Sequence, residues 1–273
     1  MGKIAFLDID GTIRAFDGTI PDSAIEAIHE ARRRGHQVCI SSGRALDQIE
    51  KRIIDIGFDG IISGTGSYVV YEGKCIRHEY FPKALFLEMT ETLIKNGCIL
   101  QFQSHDKTCI LESQTDSFIR LGEDLQRMLG EGAAALAEPP ETAARAEDLE
   151  KMEKILYFSD DFSNEQVKAL WGDQLYIVPL SFPNPRKWGG ELSPVTVNKA
   201  EGIKSILKLS GHSTEDVVAV GDSNNDIEMI TMAGLGIAMG NGTEGVKAAA
   251  DAVTDTLEND GLYKAFKMAG MIG

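Results

Sequence analysis

Ile4-Ala5-Phe6-Leu7-Asp8-Ile9-Asp10-Gly11-Thr12 passes from an apolar run into two carboxylates, a glycine and a hydroxyl. The run reads as a buried strand and Asp-Gly-Thr as the loop it opens into. Residues two apart share one side of an extended backbone, so the spacing predicts that Asp8 and Asp10 crowd two negative charges where the strand leaves the core. Such crowding is unfavourable unless a proton or a cation offsets it. Mg²⁺ takes oxygen ligands from one or two carboxylates and a phosphate while keeping several waters, which would relieve the repulsion and leave one aspartate free to act as a nucleophile. The plainer alternative is a turn capped by Asp8.

Downstream, Pro21-Asp22-Ser23 supplies a helix start, Ile25, Ile28 and Ala31 follow at helical spacing, and Gly35 stops the element. Gln37-Val38-Cys39-Ile40 is then a short buried strand ending in Ser41-Ser42-Gly43-Arg44. Together these make a βαβ unit, with a right-handed crossover and ligands gathering beyond the carboxyl ends of its strands. Ser42 and the main-chain N–H groups of Gly43 and Arg44, heading a helix expected over 45–56, are placed to hold a phosphate oxygen, unless Ser42 is only an N-cap. A third strand is expected over 59–63. A hairpin follows, with strands over 67–71 and 74–78 turning at Glu72-Gly73.

The same strand-to-polar-loop junction returns late in the chain. Asp216-Val217-Val218-Ala219-Val220 is a buried strand that ends in Gly221-Asp222-Ser223-Asn224-Asn225-Asp226, with Asp226 near the first turn of a helix through Met229 and Ile230. Before it, Asn198-Lys199-Ala200 starts a helix with Lys199 in the first turn, where the helix dipole disfavours a cation. A phosphate held at that helix end would offset both; a solvated surface lysine is the other option. Leu235 to Gly240 adds a fifth strand, Gly242-Thr243 starts a helix, and a helix over 258–268 closes the chain. Asp8/Asp10, Ser42, Lys199 and Asp222/Asp226 all fall at strand carboxyl ends or helix starts, so one doubly wound sheet would gather them in one crevice.

The middle of the chain has a different character. Pro82 opens a helix with Leu85, Met89 and Leu93 inward. Strands are expected over 98–102, 108–111, 154–158 and 175–182, and helices over 114–129 and 164–171. The Ala- and Glu-rich stretch 130–150 reads as loop plus a short helix. Pro183, Pro185, Gly189 and Gly190 mark the way back. The expected architecture is an α/β core, doubly wound and mostly parallel, from 1–80 plus 187–273, with an inserted α+β domain over 81–186.

A net charge of −15 argues against a protein that binds nucleic acid or an anionic membrane by neutralising it, so local positive charge must meet an anionic small substrate. No basic leader and no run of about 18 apolar residues is present, and the expectation is a soluble, cytoplasmic protein. Cys39, Cys75, Cys98 and Cys109 form no Cys-x-x-Cys pair and read as buried thiols; the histidines show no metal-ligand spacing.

Taken together, these pieces resemble the haloacid dehalogenase superfamily of phosphohydrolases, and within it the Cof-like group with a type IIB cap. Asp8-Ile9-Asp10-Gly11-Thr12 is similar to its first motif, Ser42 to its second, Lys199 to its third and Gly221-Asp222-Ser223-Asn224-Asn225-Asp226 to its fourth, with Ala238-Met239-Gly240-Asn241-Gly242 similar to a stretch that follows. Ser41-Ser42 stands where Ala-Thr is frequent, and the lead-in to Lys199 departs from the group's usual Gly-Val-Ser; both keep the hydroxyl and the ammonium.

The resemblance implies a phosphatase acting on a small phosphorylated metabolite, such as a sugar phosphate or a phosphorylated cofactor. In that scheme Asp8 attacks phosphorus to give an aspartyl-phosphate, and Asp10 protonates the leaving alcohol and later activates water. Mg²⁺ is held by Asp8, a main-chain carbonyl at Asp10 and Asp222, with Asp226 in support. Ser42, Gly43, Lys199 and Asn225 bind the phosphoryl oxygens, and the middle domain closes over the site. Other readings are a phosphomutase or phosphotransferase, and a phospho-accepting signalling module of the receiver type, against which the inserted domain and the Asp-x-Asp pair argue. A binding protein without catalysis would be expected to lack a motif residue. His105, Asp106, Arg186, Trp188 and Glu191 are candidates for setting specificity, or else packing and solvated charge.

Overall fold

The computed structural model describes residues 2–129, 140–180 and 184–273. The readings that fall on 130–139 and 181–183 lie outside the described residues. The chain divides into two compact units, Met1–His78 with Asn198–Gly273, and Glu79–Val197.

The first unit begins with β1 (Ile4–Leu7), α1 (Asp22–Arg33), β2 (Gln37–Ser41), the short α2 (Lys51–Ile54), β3 (Gly60–Ser63), β4 (Tyr68–Tyr71) and β5 (Lys74–His78). Every residue of β1 is buried, as a strand covered on both faces requires. In α1, Pro21 precedes the first turn, Ala24, Ala27, Ile28 and Ala31 form the buried stripe, and Arg32 and Arg33 sit in the last turn where the dipole favours cations. The β4–β5 hairpin turns on Glu72 at φ 48° and Gly73 at φ 74°, the paired left-handed residues a two-residue turn needs.

The second unit holds α3 (Lys83–Lys95), β6 (Ile99–Gln103), β7 (Thr108–Leu111), α4 (Thr115–Leu129), β8 (Glu141–Ala143), β9 (Lys154–Ser159), α5 (Asn164–Trp171), β10 (Leu175–Val178) and β11 (Trp188–Pro194). Its sheet runs β10-β11-β9-β6-β7-β8. Phe86, Met89 and Leu93 of α3 and Val167 and Trp171 of α5 pack with Leu100, Phe102, Ile155 and Tyr157 on one sheet face. On the other, Phe118, Leu121 and Leu125 of α4 pack with Ile110, Leu156 and Phe158. Burying each such large side chain contributes about 2 kcal/mol.

The chain then returns to the first unit with α6 (Lys199–Ser210), β12 (Val217–Gly221), α7 (Ile227–Met232), β13 (Leu235–Ala238), α8 (Glu244–Ala249), β14 (Ala252–Val253) and α9 (Gly261–Met268). The first unit's sheet runs β14-β13-β12-β1-β2-β3-β4-β5. It is parallel from β14 to β3 and antiparallel over β4 and β5. From β1 the order steps one way to β2 and β3, and the later strands step the other way from β12, so β1 lies at the reversal of strand order. In doubly wound sheets ligands bind at that reversal, outside the strand carboxyl ends.

Several expectations change, among them the stretch 130–150 read as loop plus a short helix, whose described part contains β8 paired with β7. No helix spans 45–56: a 3₁₀ turn, Leu46–Gln48, and α2 replace it. The carbonyls of Ser42 and Arg44, which would otherwise start a helical ladder, accept from the N–H groups of Thr65 and Gly64 in the turn after β3. Gly189 and Gly190 lie inside β11, which pairs with β9 and β10, so residues 187–197 belong with the second unit instead of marking a linker. A Cβ at Gly189 would come within 2.9 Å of Asn184, Leu180 and the Tyr157 carbonyl, so close packing, not a turn, accounts for this glycine. Leu85 is only half-buried and Phe86 takes the inward position in α3. Cys39, Cys98 and Cys109 are buried, but Cys75 is exposed in β5.

Candidate active site

Asp8 follows the last residue of β1, and its N–H extends the ladder to the Val220 carbonyl of β12 at 3.0 Å. Asp222 follows β12 directly. The two carboxylates therefore leave adjacent parallel strands at the same end, and both are buried. Asp226 is the last residue of a 3₁₀ turn, Asn224–Asp226, that leads into α7, and it is fully buried. Each of Asp8, Asp222 and Asp226 offers one carboxylate oxygen, and the three lie within 4.8 Å of one another.

Lys199 reaches this cluster from the first turn of α6. Asn198 caps that helix, its Oδ1 accepting from the Glu201 N–H at 2.9 Å. Lys199 is wholly buried, which removes the surface-lysine alternative. Its Nζ donates to Asp8 Oδ1 at 2.6 Å and to Asp226 Oδ1 at 2.5 Å. The other Asp226 oxygen accepts from the N–H groups of Asp222 and Ser223, both at 3.0 Å. Asp226 thus holds both the lysine and the loop that carries Asp222.

One ammonium is too little for three buried carboxylates. Burial raises the Asp8 pKa to about 7, Lys199 lowering it and Asp226 and Asp10 adding to it. Burial, reinforced by the charges of Asp8 and Asp226, raises Asp222 to about 8. Burial opposes the charge on Lys199, but Asp226 and Asp8 outweigh it and hold its pKa above the ordinary value.

Asp222 Oδ1 is buried and has no hydrogen-bond partner among the described residues. An orphaned carboxylate oxygen, an all-oxygen donor set and surplus negative charge fit a hard divalent cation such as Mg²⁺. Gly11 makes room for the Asp222 carboxylate: at φ 83° the chain turns so that a Cβ there would sit 2.2 Å from Asp222 Oδ2. Asn241 fixes that turn, donating to the Gly11 carbonyl at 2.9 Å and accepting from the Leu257 N–H at 3.0 Å.

Ser42 is buried after β2, and its Oγ accepts from the Arg44 N–H at 3.2 Å. The position a Gly43 Cβ would take lies 3.4 Å from Asn225 Nδ2, so the loops after β2 and β12 meet here. Ser42, Gly43 and Asn225 are therefore brought together from distant segments, although the helix expected to begin there is absent.

Asp10 stands apart. The strand ends at Leu7, so the two-residue alternation stops before Asp10, and its carboxylate is not in the acidic cluster. Instead Arg44 donates to both its oxygens, Nε to Oδ2 at 2.7 Å and Nη2 to Oδ1 at 2.8 Å, and Arg14 Nη1 adds a bond to Oδ1 at 2.9 Å. Sequence reasoning missed both arginine side chains; the i,i+4 spacing of Asp10 and Arg14 was the available signal. Within the second unit, His105 N–H donates to Glu153, Ser104 Oγ to Asp106, Arg186 pairs with Asp124, and Lys154 donates to Glu191 at 2.6 Å. Trp188 lies under the Lys187 ammonium, 5.3 Å from its ring centre.

A family model described as haloacid dehalogenase-like hydrolase matches residues 5–266. YkrA of Bacillus subtilis (strain 168) is 30% identical over 276 residues, covering 99% of this chain and 98% of that one. The 5-amino-6-(5-phospho-D-ribitylamino)uracil phosphatase YitU of the same organism is 27% identical, covering 96% and 95%. Among solved structures, the HAD subclass IIB sugar phosphatase BT4131 is similar with a TM-score of 0.81 and 26% identity, over 99% of this chain and 100% of that one.

Proposed function

The chain belongs to the haloacid dehalogenase-like hydrolases, and on that premise we propose that it is a Mg²⁺-dependent phosphatase that hydrolyses a small phosphomonoester through an aspartyl-phosphate on Asp8. The observation that carries this reading is the buried Lys199 bridging Asp8 and Asp226 beside the orphaned Asp222 oxygen. Asp8 attacks phosphorus and the alkoxide leaves; water later displaces the phosphoryl group from Asp8 and inorganic phosphate departs. Asp10 gives its proton to the leaving alcohol and takes one from the attacking water. Ser42, Gly43, Lys199 and Asn225 hold the phosphoryl oxygens, which matters most in a loose transition state whose charge is spread over them.

Asp8, Asp222 and the main-chain carbonyl of Asp10 would hold the metal, with Asp226 in support through the backbone it fastens. When bound, Mg²⁺ would neutralise charge on the transferring group. Small phosphorylated compounds as substrates are supported by the names of YitU and BT4131, a phosphorylated ribitylaminouracil phosphatase and a sugar phosphatase. Selection among leaving groups is assigned to the inserted unit. No helix among the described residues is long and apolar enough to cross a membrane.

The test is phosphate release from a panel of sugar phosphates and phosphorylated cofactors, with chelator and Mg²⁺ add-back. Release is expected to vanish with chelator, return with Mg²⁺, and fall by about 10³-fold or more in Asp8→Asn. Asp8→Asn turnover near wild type removes Asp8 as the nucleophile, and full activity in chelator removes the metal.

A further inference from the structure

We propose that Arg14 and Arg44 are positioning residues that set the place of the Asp10 carboxylate, so that the proton transfers assigned to Asp10 depend on a two-arginine clamp. The proposal rests on the phosphatase reading and concerns side chains that reading does not use.

Arg44 grips Asp10 side-on, with Nε on one oxygen and Nη2 on the other, the planar fork that fixes a carboxylate in orientation as well as distance. Arg14 Nη1 adds a second donor to Oδ1 at 2.9 Å. Neither guanidinium is loose. Arg14 belongs to the same tight loop as Asp10, its carbonyl accepting from the Gly11 N–H at 2.7 Å and its N–H donating to the Ile9 carbonyl at 2.9 Å. Arg44 Nη1 donates to the Gln48 carbonyl at 3.1 Å. Glu50 pairs with both arginines, at 3.0 Å from Arg14 Nε and 3.9 Å from Arg44 Nη1. Arg14 and Arg44 are only 16% and 26% exposed, so the pairs are partly shielded from the solvent screening that weakens surface ion pairs.

This arrangement answers a question the motif leaves open. Asp8 and Asp10 are neighbours in sequence and both acidic, yet only Asp8 enters the Lys199 cluster. The arginines supply the positive charge that draws Asp10 away from that cluster. Asp10 is thereby kept as a separate carboxylate instead of a further anion competing for Lys199. A residue that moves protons at a reacting oxygen must be held to within fractions of an ångström, and two anchors from two loops provide that.

The experiment compares wild type, Asp10→Asn, Arg44→Lys, Arg14→Met and the double variant Asp10→Asn/Arg44→Lys, using p-nitrophenyl phosphate in rapid mixing with Mg²⁺ present. Nitrophenolate departs without needing a proton, whereas hydrolysis of the aspartyl-phosphate needs a base. Asp10→Asn is therefore expected to show a burst of nitrophenolate followed by slow turnover. Arg44→Lys and Arg14→Met are expected to show the same burst, with kcat lowered about tenfold or more, KM lowered along with it and kcat/KM nearly unchanged, because nitrophenolate leaves before the slowed step. In the Asp10→Asn background, Arg44→Lys should add less than about twofold, because its effect passes through Asp10.

A rise in KM alone, equal slowing of burst and turnover, or full additivity in the double variant overturns the clamp while leaving the phosphatase reading in place. An Asp10→Asn enzyme with no burst overturns the acid–base role of Asp10 and the clamp with it, and a wild type inactive on every phosphomonoester overturns both readings. Because Arg14 and Arg44 come from different loops, loss of fold in one variant leaves the other to decide.

Discussion

At the first position of α6, Lys199 places an ammonium where the helix dipole disfavours it and where no water reaches it. Asp8 and Asp226 offset both costs, and removing the lysine would leave buried carboxylates facing one another. Lys199→Ala is expected to lower kcat/KM by about 10²- to 10³-fold, as for loss of one charged contact to developing negative charge. Its unfolding free energy should fall by about 3 kcal/mol, the scale of a broken buried ion pair, read from urea titrations. Unchanged kinetics would confine Lys199 to a structural part. Lys199 was legible as an anomaly because a cation in a first turn wants a reason. Its burial was not, since that depends on what α6 packs against.

Among the elements, the loops after β1, β2 and β12 do the positioning, and each is fixed by its neighbours more than by its own sequence. The loop after β1 can pass close to Asp222 only because Gly11 has no Cβ and accepts φ 83°. Gly11→Ala forces a left-handed backbone on a residue with a Cβ, at a cost of about 1–2 kcal/mol, and drives that Cβ into the Asp222 carboxylate. Mg²⁺ affinity should fall more than stability does, measured by isothermal titration beside thermal unfolding; unaltered affinity would mean that the loop yields without moving Asp222. The loop after β2 shows the limit of local reading. Residues 45–56 have helix-compatible composition, yet the turn after β3 captures the carbonyls of Ser42 and Arg44 and cancels the ladder. No window of sequence around Ser42 contains that competitor.

For the whole molecule, the surplus of buried carboxylates ties stability to pH and to cation. Asp8 and Asp222, raised to about 7 and 8 from 3.8, bind more protons in the folded chain than in the unfolded one between those values. Their contribution to the metal-free protein therefore weakens as pH rises from about 4 to about 8. A cation binds the ionised pair, so its stabilising effect should grow over the same window. At a Mg²⁺ concentration of 100 Kd the gain is about 2.7 kcal/mol. The Tm increase on adding a fixed Mg²⁺ concentration is expected to be several degrees at pH 8, much smaller at pH 5, and nearly absent in Asp222→Asn. An equal shift at both pH values would place the ion elsewhere.

Taken alone, the sequence determined the kind of fold and the strand ends from which Asp8 and Asp222 emerge. Apolar runs such as Ile4–Leu7 and Val217–Gly221, short and bounded by polar turn residues, read as strands covered on both faces, and polar junctions at their ends have one place to meet in a doubly wound sheet. The helix starts at Asn164 and Lys199 rest on the side-chain caps Ser163 and Asn198, and the one at Asp22 follows Pro21; all are signals that act over a few residues. Tertiary structure decided which charges distant in sequence pair. Asp8 and Asp10 differ by two positions, but one is claimed by a lysine 191 residues away and the other by an arginine 34 residues away. Charge pairing is set by distances across the fold, and those distances exist only once the strands have taken their order.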